Sequence, residues 1–326
     1  MEFGALSKPS LLDRADLQAK MHLKPDSAHT RAKLEKGAAL RAQAGRNSAT
    51  SPAPKLRVGL PIWANPKWLG KIYPKKMPAA EALSRYSRQF SVIELNSTFY
   101  RVPDDATIAR WKSEVPEGFL FCPKIPREIS HDRLLQGASA QTHEFARRMR
   151  DLGSALGPCW LQLPPGFGPA SIGTLAAWIA QWPRDLALAI EFRNPSWFTS
   201  EGLDPAAAQL LESYGVAAVI TDAPARRDVL HMTLTANWTF VRYAGNQRHS
   251  FDQVRLDEWA NRLKLWFQGG LRGALFFVHE PDETDIPETS NDFASLVNET
   301  CRDLGIEVKP WTPPEVALPE QPSLLL

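Results

Sequence analysis

One alternation constrains this chain more than anything else. Between Leu56 and Pro310, eight short apolar runs are separated by longer amphipathic segments. The runs occupy 56–62, 92–96, 119–124, 159–163, 186–193, 217–222, 239–243 and 275–280. Their length and apolar content suit buried strands. Helices are expected over 79–90, 104–115, 138–156, 170–182, 205–214 and 256–267. Asp104 and Asp105 supply N-cap chemistry, and Gly153, Gly157 and Gly215 fall near expected helix ends. The stretch 223–238 shows no helical pattern and is expected to be a long loop over one barrel end. Eight strands alternating with helices in about 255 residues is the arithmetic of an α/β protein with a single TIM-like (β/α)8 barrel. An open doubly wound sheet competes, but no glycine-rich phosphate fingerprint follows the first run.

The flanks differ from this core. Residues 1–54 carry nine Lys or Arg and five acids, have no Trp or Tyr, and end in Ser-Ala-Thr-Ser-Pro-Ala-Pro. They are expected to form a flexible basic N-terminal extension with a short helix around 30–44. A nucleic-acid or partner-binding arm is the alternative. The barrel is expected over 55–310, and 311–326 reads as a Pro-rich C-terminal tail. Overall charge is +2, which excludes a strongly basic coat but leaves room for a local basic groove. No run approaches 18 apolar residues, and no secretory signal is legible at the N-terminus. Cys122, Cys159 and Cys301 form no CxxC pair. These features suit a reduced, cytoplasmic protein that spans no membrane.

Side chains alternate across a strand, so residues two apart share a face. In the fifth run Leu186, Leu188, Ile190 and Phe192 form a bulky face suited to outer helices. Ala187, Ala189, Glu191 and Arg193 form a small face suited to a crowded interior, ending in charge at the C-terminal mouth. The second run sets Glu94 and Asn96 in phase with Val92, and the third ends in Lys124, in phase with Cys122. The fourth carries Gln162, the sixth ends in Asp222, the seventh carries Arg242 and the eighth closes with His279 and Glu280. Barrel enzymes assemble their sites from several such strand ends. Glu94, Gln162, Glu191 and Arg242 lie inside apolar runs, where desolvation must be offset by partners. An internal network that merely plugs the barrel is the rival explanation.

The segment Val-Ile-Glu-Leu-Asn-Ser-Thr-Phe-Tyr-Arg-Val-Pro at 92–103 resembles the signature of the YecE-like family, known as domain of unknown function 72. Phe-Leu-Phe-Cys-Pro-Lys at 119–124, Leu-Gln-Leu-Pro-Pro at 161–165, Glu-Phe-Arg at 191–193 with Pro195, Ser196 and Trp197, and Asp222 before Ala-Pro agree with it in order. The resemblance covers about 56–305. It implies a TIM-like barrel and leaves the biochemical function open. The chain departs from the family pattern at Gly59-Leu-Pro-Ile-Trp63, at Ala244 where a histidine is common, and at His279-Glu-Pro-Asp282.

Glu191, Asp222 and His131 are the catalytic candidates. A carboxylate here can act as general base or, with its neighbours, hold a divalent ion, while His131 can transfer protons near neutral pH. Spacing supports no metal motif, so a divalent cofactor stays open and its ligands unassigned. Substrate binding is assigned to Glu94, Asn96, Tyr100, Lys124, Gln162, Arg193, Trp197 and Arg242. Lys124, Arg193 and Arg242 together suit a phosphate or carboxylate, and Trp63 and Trp197 suit pocket walls. The leading expectation is acid/base or metal-assisted hydrolysis or isomerisation of a small anionic or nucleotide-like substrate. A non-catalytic holder of a metabolite or nucleic-acid segment at the same mouth is the alternative.

Overall fold

The computed structural model describes residue 4, residues 6–44 and residues 53–314. Eight parallel strands carry the alternation read above: β1 (Lys55–Gly59), β2 (Val92–Leu95), β3 (Leu120–Pro123), β4 (Cys159–Gln162), β5 (Leu188–Glu191), β6 (Ala217–Asp222), β7 (Trp238–Ala244) and β8 (Gly273–His279). Six of them form one sheet in the order β1-β8-β7-β6-β5-β4, and β2 pairs with β3 in a second. Single bridges link the two sheets. Leu60, just past β1, bridges Ile93, and Lys124, just past β3, bridges Trp160 of β4. The Glu94 amide donates to Leu60 O at 3.1 Å, and the Ile125 amide to Trp160 O at 2.8 Å. Two short pairs, Phe198–Thr199 and Gly202–Leu203, make an antiparallel ribbon after β5.

Helices follow most strands: α3 (Ala82–Gln89), α4 (Asp105–Glu114), α5 (Ser139–Arg150), α6 (Ile172–Gln181), α7 (Pro205–Tyr214), α8 (Ser250–Gln268) and α9 (Ile286–Thr300). Asp104 caps α4 by accepting from the Thr107 amide at 2.8 Å, and Gly215 ends α7 at φ 68°, the left-handed turn expected there. The expected helix 256–267 begins earlier than its apolar pattern suggests, because His249 Nδ1 accepts from the Phe251 amide at 3.1 Å and starts the helix at Ser250. No helix lies in the connection from β6 to β7, as expected.

The N-terminal segment is the first correction. The expectation is a flexible extension with a short helix around 30–44. Helix α2 (Ala28–Ala44) matches that helix, but α1 (Ala15–Met21) and the packing of the segment against α7 and the turn after α8 depart from a free tail. Leu12 and Thr30 are fully buried and Met21 nearly so. Thr30 Oγ1 donates to Met232 O at 2.8 Å and accepts from the Leu234 amide at 2.8 Å. Lys33 pairs with Glu212 of α7 at 2.6 Å. On the other side, Gly37 meets the turn after α8 so closely that a Cβ there would sit 2.4 Å from Gly269 O. Helix α2 therefore lies between α7 and α8, in the place that the β6–β7 connection leaves without a helix. Scattered polar and backbone contacts achieve this, so composition alone gave no warning of it.

Apolar residues fall into two clusters. The larger packs the outer strand faces, including Ile93, Leu161 and Ile190, against the helices. The smaller contains Val92, Cys122, Trp160, Ala189, Val219, Phe240 and Phe277, one from each of seven strands. Period-two alternation keeps the two sets apart. Among the described residues no helix is long and apolar enough to cross a membrane.

Candidate functional site

Two positions beyond each residue of the inner cluster, the same strand face turns polar. Val92 leads to Glu94, Cys122 to Lys124, Trp160 to Gln162, Ala189 to Glu191, Val219 to Thr221, Phe240 to Arg242 and Phe277 to His279. All seven are buried. They meet in one network centred on Arg242. Its Nε and Nη2 donate to the two oxygens of Glu94 at 2.9 Å each, and its Nη1 donates to Glu191 Oε2 at 2.9 Å. Glu191 Oε2 also accepts from Gln162 Nε2 at 2.8 Å, and Oε1 from Thr221 Oγ1 at 3.0 Å. Arg193 Nη1 reaches Glu191 Oε1 at 3.4 Å. Asn96 Nδ2 donates to Glu94 Oε1 at 2.9 Å, and His279 Nε2 lies 3.2 Å from Glu94 Oε2. Gln162 Oε1 accepts from Lys124 Nζ at 3.1 Å. Beneath, the Trp160 ring lies 4.6 Å from both Lys124 Nζ and the Arg242 guanidinium.

Burial opposes ionisation of both glutamates, but the cations overcome it. Arg242 and then His279 hold Glu94 far below the usual carboxylate range, and Arg242, Arg193 and Lys124 hold Glu191 down at about 2. Lys124 moves the other way. Burial and the adjacent Arg242 lower it to about 8, with Glu191 and Glu94 offsetting part of the effect. Burial, opposed by Glu94, lowers His279. A cleft of about 930 Å³ opens above the network. Asn96, Tyr100, Lys124, Gln162, Arg193, Arg242, His279 and Glu280 line it, and Leu6 and Ser7 contribute to its rim. Tyr100 is 77% exposed there. Glu280 accepts from Thr289 Oγ1 and the Gln247 amide at 2.8 Å each, and burial, with Asp252 nearby, raises it to about 7.

Of the eleven residues singled out from sequence, Glu94, Asn96, Lys124, Gln162, Glu191, Arg193 and Arg242 converge, and Tyr100 borders the same cleft. Three do not enter it. Asp222 is one residue out of phase with the inward face. Its Oδ1 accepts from Arg255 Nη2 at 2.7 Å and from Arg227 Nη1, and its Oδ2 from Trp259 Nε1 at 2.8 Å. Burial raises its pKa, but Arg255 and Arg227 bring it below the ordinary value. Trp197 is fully buried, packs on Phe192 and donates to Phe167 O at 2.7 Å, so it braces the post-β5 turn. His131 lies behind the cleft wall, 5.1 Å edge-on to Phe99, with Nδ1 2.8 Å from Ser130 Oγ. Burial and Lys124 lower it to about 4. Trp63, expected as a wall, packs on Trp111. Thr221, His279 and Glu280 were missed as site residues. The first two were recoverable from the alternation, since Thr221 is in phase with Val219 and His279 with Phe277.

Among the described residues no group of three or more His, Cys, Asp or Glu side chains is disposed to hold a metal ion. The Glu94 and Glu191 oxygens, the carboxylate donors nearest the cleft floor, are occupied by Arg242, Gln162 and Thr221. The donor set as arranged does not fit such an ion.

Comparison with known proteins bears on the same region. The model of a family described as "Protein of unknown function DUF72" matches residues 57–315. The chain is 28% identical over 285 residues to the UPF0759 protein YecE of Escherichia coli strain K12, covering 82% of this chain and 98% of that one. It is 24% identical over 235 residues to the UPF0759 protein YunF of Bacillus subtilis strain 168, covering 63% of this chain and 82% of that one. A crystal structure of a DUF72 family protein from Enterococcus faecalis superposes with a TM-score of 0.60 at 19% identity, covering 75% of this chain and 98% of that one.

Proposed function

The chain belongs to the DUF72 family of proteins of unknown function, and from that premise we propose that it is an enzyme. In this reading it performs proton-transfer chemistry, hydrolysis or isomerisation, on a small anionic substrate in the cleft above Arg242. The reading takes the eight strands as one closed (β/α)8 barrel, a closure supported by the bridges Leu60–Ile93 and Lys124–Trp160.

Arg193 carries the proposal. Its side chain lines the cleft and is 16% exposed, yet its Nε is buried without a hydrogen-bond partner. An unmade buried hydrogen bond costs about 1–3 kcal/mol, and such a donor in a cleft wall calls for a missing acceptor. A carboxylate or phosphate oxygen supplies one, and a guanidinium suits it well. Neighbouring groups divide the labour. Glu94 and Glu191, held ionised, serve as fixed acceptors that set the field of the floor. Lys124 and Glu280, displaced toward neutrality from opposite sides, are the pair suited to giving and taking protons at pH 7. Gln162, Asn96 and Tyr100 orient the ligand. His131 supports the Phe99 wall, and Asp222 anchors the outer layer. That titrating pair favours an enzyme over a mere holder of an anion.

Thermal shift tests the reading. Oxalate and inorganic phosphate are expected to raise the melting temperature of the wild-type protein, and Arg193→Met to abolish the rise while leaving the unliganded melting temperature within a few degrees. No rise with either anion, or a rise that survives Arg193→Met, would refute it.

A further inference from the structure

Lys124 has a setting unlike that of any ordinary binding lysine. It is 7% exposed and lines the cleft. Its Nζ lies between two aromatic faces, 4.3 Å from the Phe99 ring centre and 4.6 Å from that of Trp160. Its hydrogen bond goes to a neutral acceptor, Gln162 Oε1 at 3.1 Å. Among the described residues no carboxylate lies within 4.0 Å of it, because Glu94 and Glu191 are turned onto Arg242. A lysine kept for charge alone would be placed against one of those carboxylates. This one is desolvated, held in one position and open to the cleft on its remaining side.

We propose that Lys124 is the amine that condenses with the carbonyl group of an anionic oxo compound, of the oxo-acid or sugar-phosphate class, to form an imine. The idea rests on the anionic substrate proposed above and specifies its second functional group. The nitrogen lone pair adds to the carbonyl carbon, and the C=O π pair moves to oxygen. The carbinolamine then loses that oxygen as water, which carries away both nitrogen protons, and a C=N bond is left. No oxidant or reductant is consumed. Arg193 receives the substrate's anionic group, and the Phe99 and Trp160 faces shield the imine from water. Burial and Arg242 keep a useful fraction of the amine neutral at pH 7, despite Glu94 and Glu191, with Arg193 and His131 completing the ionisable surroundings.

Glyoxylate with cyanoborohydride is a suitable probe, since the hydride fixes any imine as a stable N-carboxymethyl group. At pH 7, peptide mapping of the intact chain is expected to find Lys124 modified at least about tenfold faster than the average exposed lysine, from its larger neutral fraction. Excess oxalate, which binds but cannot condense, should suppress the modification at Lys124 and at no other lysine. Lys124→Arg, which keeps the charge, should remove the modification while leaving the unliganded melting temperature within a few degrees of wild type. Modification confined to exposed lysines, with the oxalate-induced thermal shift intact in the wild type, overturns the imine step and leaves the anion site standing. Loss of both overturns the two proposals together.

Discussion

The protein buries two carboxylate–arginine clusters, and they are built differently. At the cleft floor Glu94 and Glu191 share Arg242, and at the outer end of β6 Asp222 is shared by Arg255 and Arg227. Each has an arginine Nε without an acceptor, Arg193 in the first case and Arg255 in the second. The difference lies in what surrounds that nitrogen. The Arg255 guanidinium is fully buried over the Tyr243 ring at 4.5 Å, and its other nitrogens bind Asp252, Asp222 and Ala244 O. Arg193 instead forms part of a cleft wall, beside a lysine whose nearest partner is an amide. Buried charge alone does not mark a site. A buried guanidinium that lacks one acceptor and also lines a cleft does.

The contrast can be tested from its strongest consequence to its weakest. Asp222→Ala strands Arg255 and Arg227 and should lower unfolding free energy by about 3–5 kcal/mol in urea titration. A loss below about 1 kcal/mol would show that the outer cluster is not structural. Glu280 gives an intermediate effect with a definite sign. Its pKa rises on folding from about 4.5 to about 7, so the folded chain holds a proton that the unfolded chain has lost. Stability from this group is therefore present below about 4.5 and falls as pH rises toward 7, by at most about 1.4 kcal/mol per pH unit. Glu280→Gln, which can keep both hydrogen bonds, should flatten that slope, and an unchanged slope would assign it elsewhere. Lys124→Met should have the smallest effect, within about 1 kcal/mol of wild type or slightly stabilising, because a desolvated ammonium is replaced by an apolar chain. A large loss would move Lys124 from the chemical to the structural class.

Much of this site was legible because alternation is a local rule. Glu94, Gln162, Glu191 and Arg242 each follow an inward apolar residue at a spacing of two, and they met as that spacing requires. Asp222 was misplaced by weighting charge over phase; Thr221, one residue earlier, is the inward group. His279 stands where the chain departs from the family pattern, although its phase with Phe277 is plain. Trp197 illustrates a limit of local reading. An indole after a strand suits a pocket wall and a core brace equally, and only the Phe167 carbonyl decides between them. The packing of residues 6–44 was invisible for a stronger reason, since its anchors include side chains and backbone groups 202 to 236 residues further along the chain.

That distant anchoring bears on how the molecule is assembled. Thr30 finds its acceptor on Met232, a separation of 202 residues, so this anchor of α2 exists only once β6 and the connection after it have been made. During N-to-C synthesis this helix precedes the eight described strands, and its contact with the turn after α8 forms only after seven of them have been made. Such a long closure favours slow completion over speed. Docking of α2 is therefore expected late in refolding, as a latch closed on strands already formed.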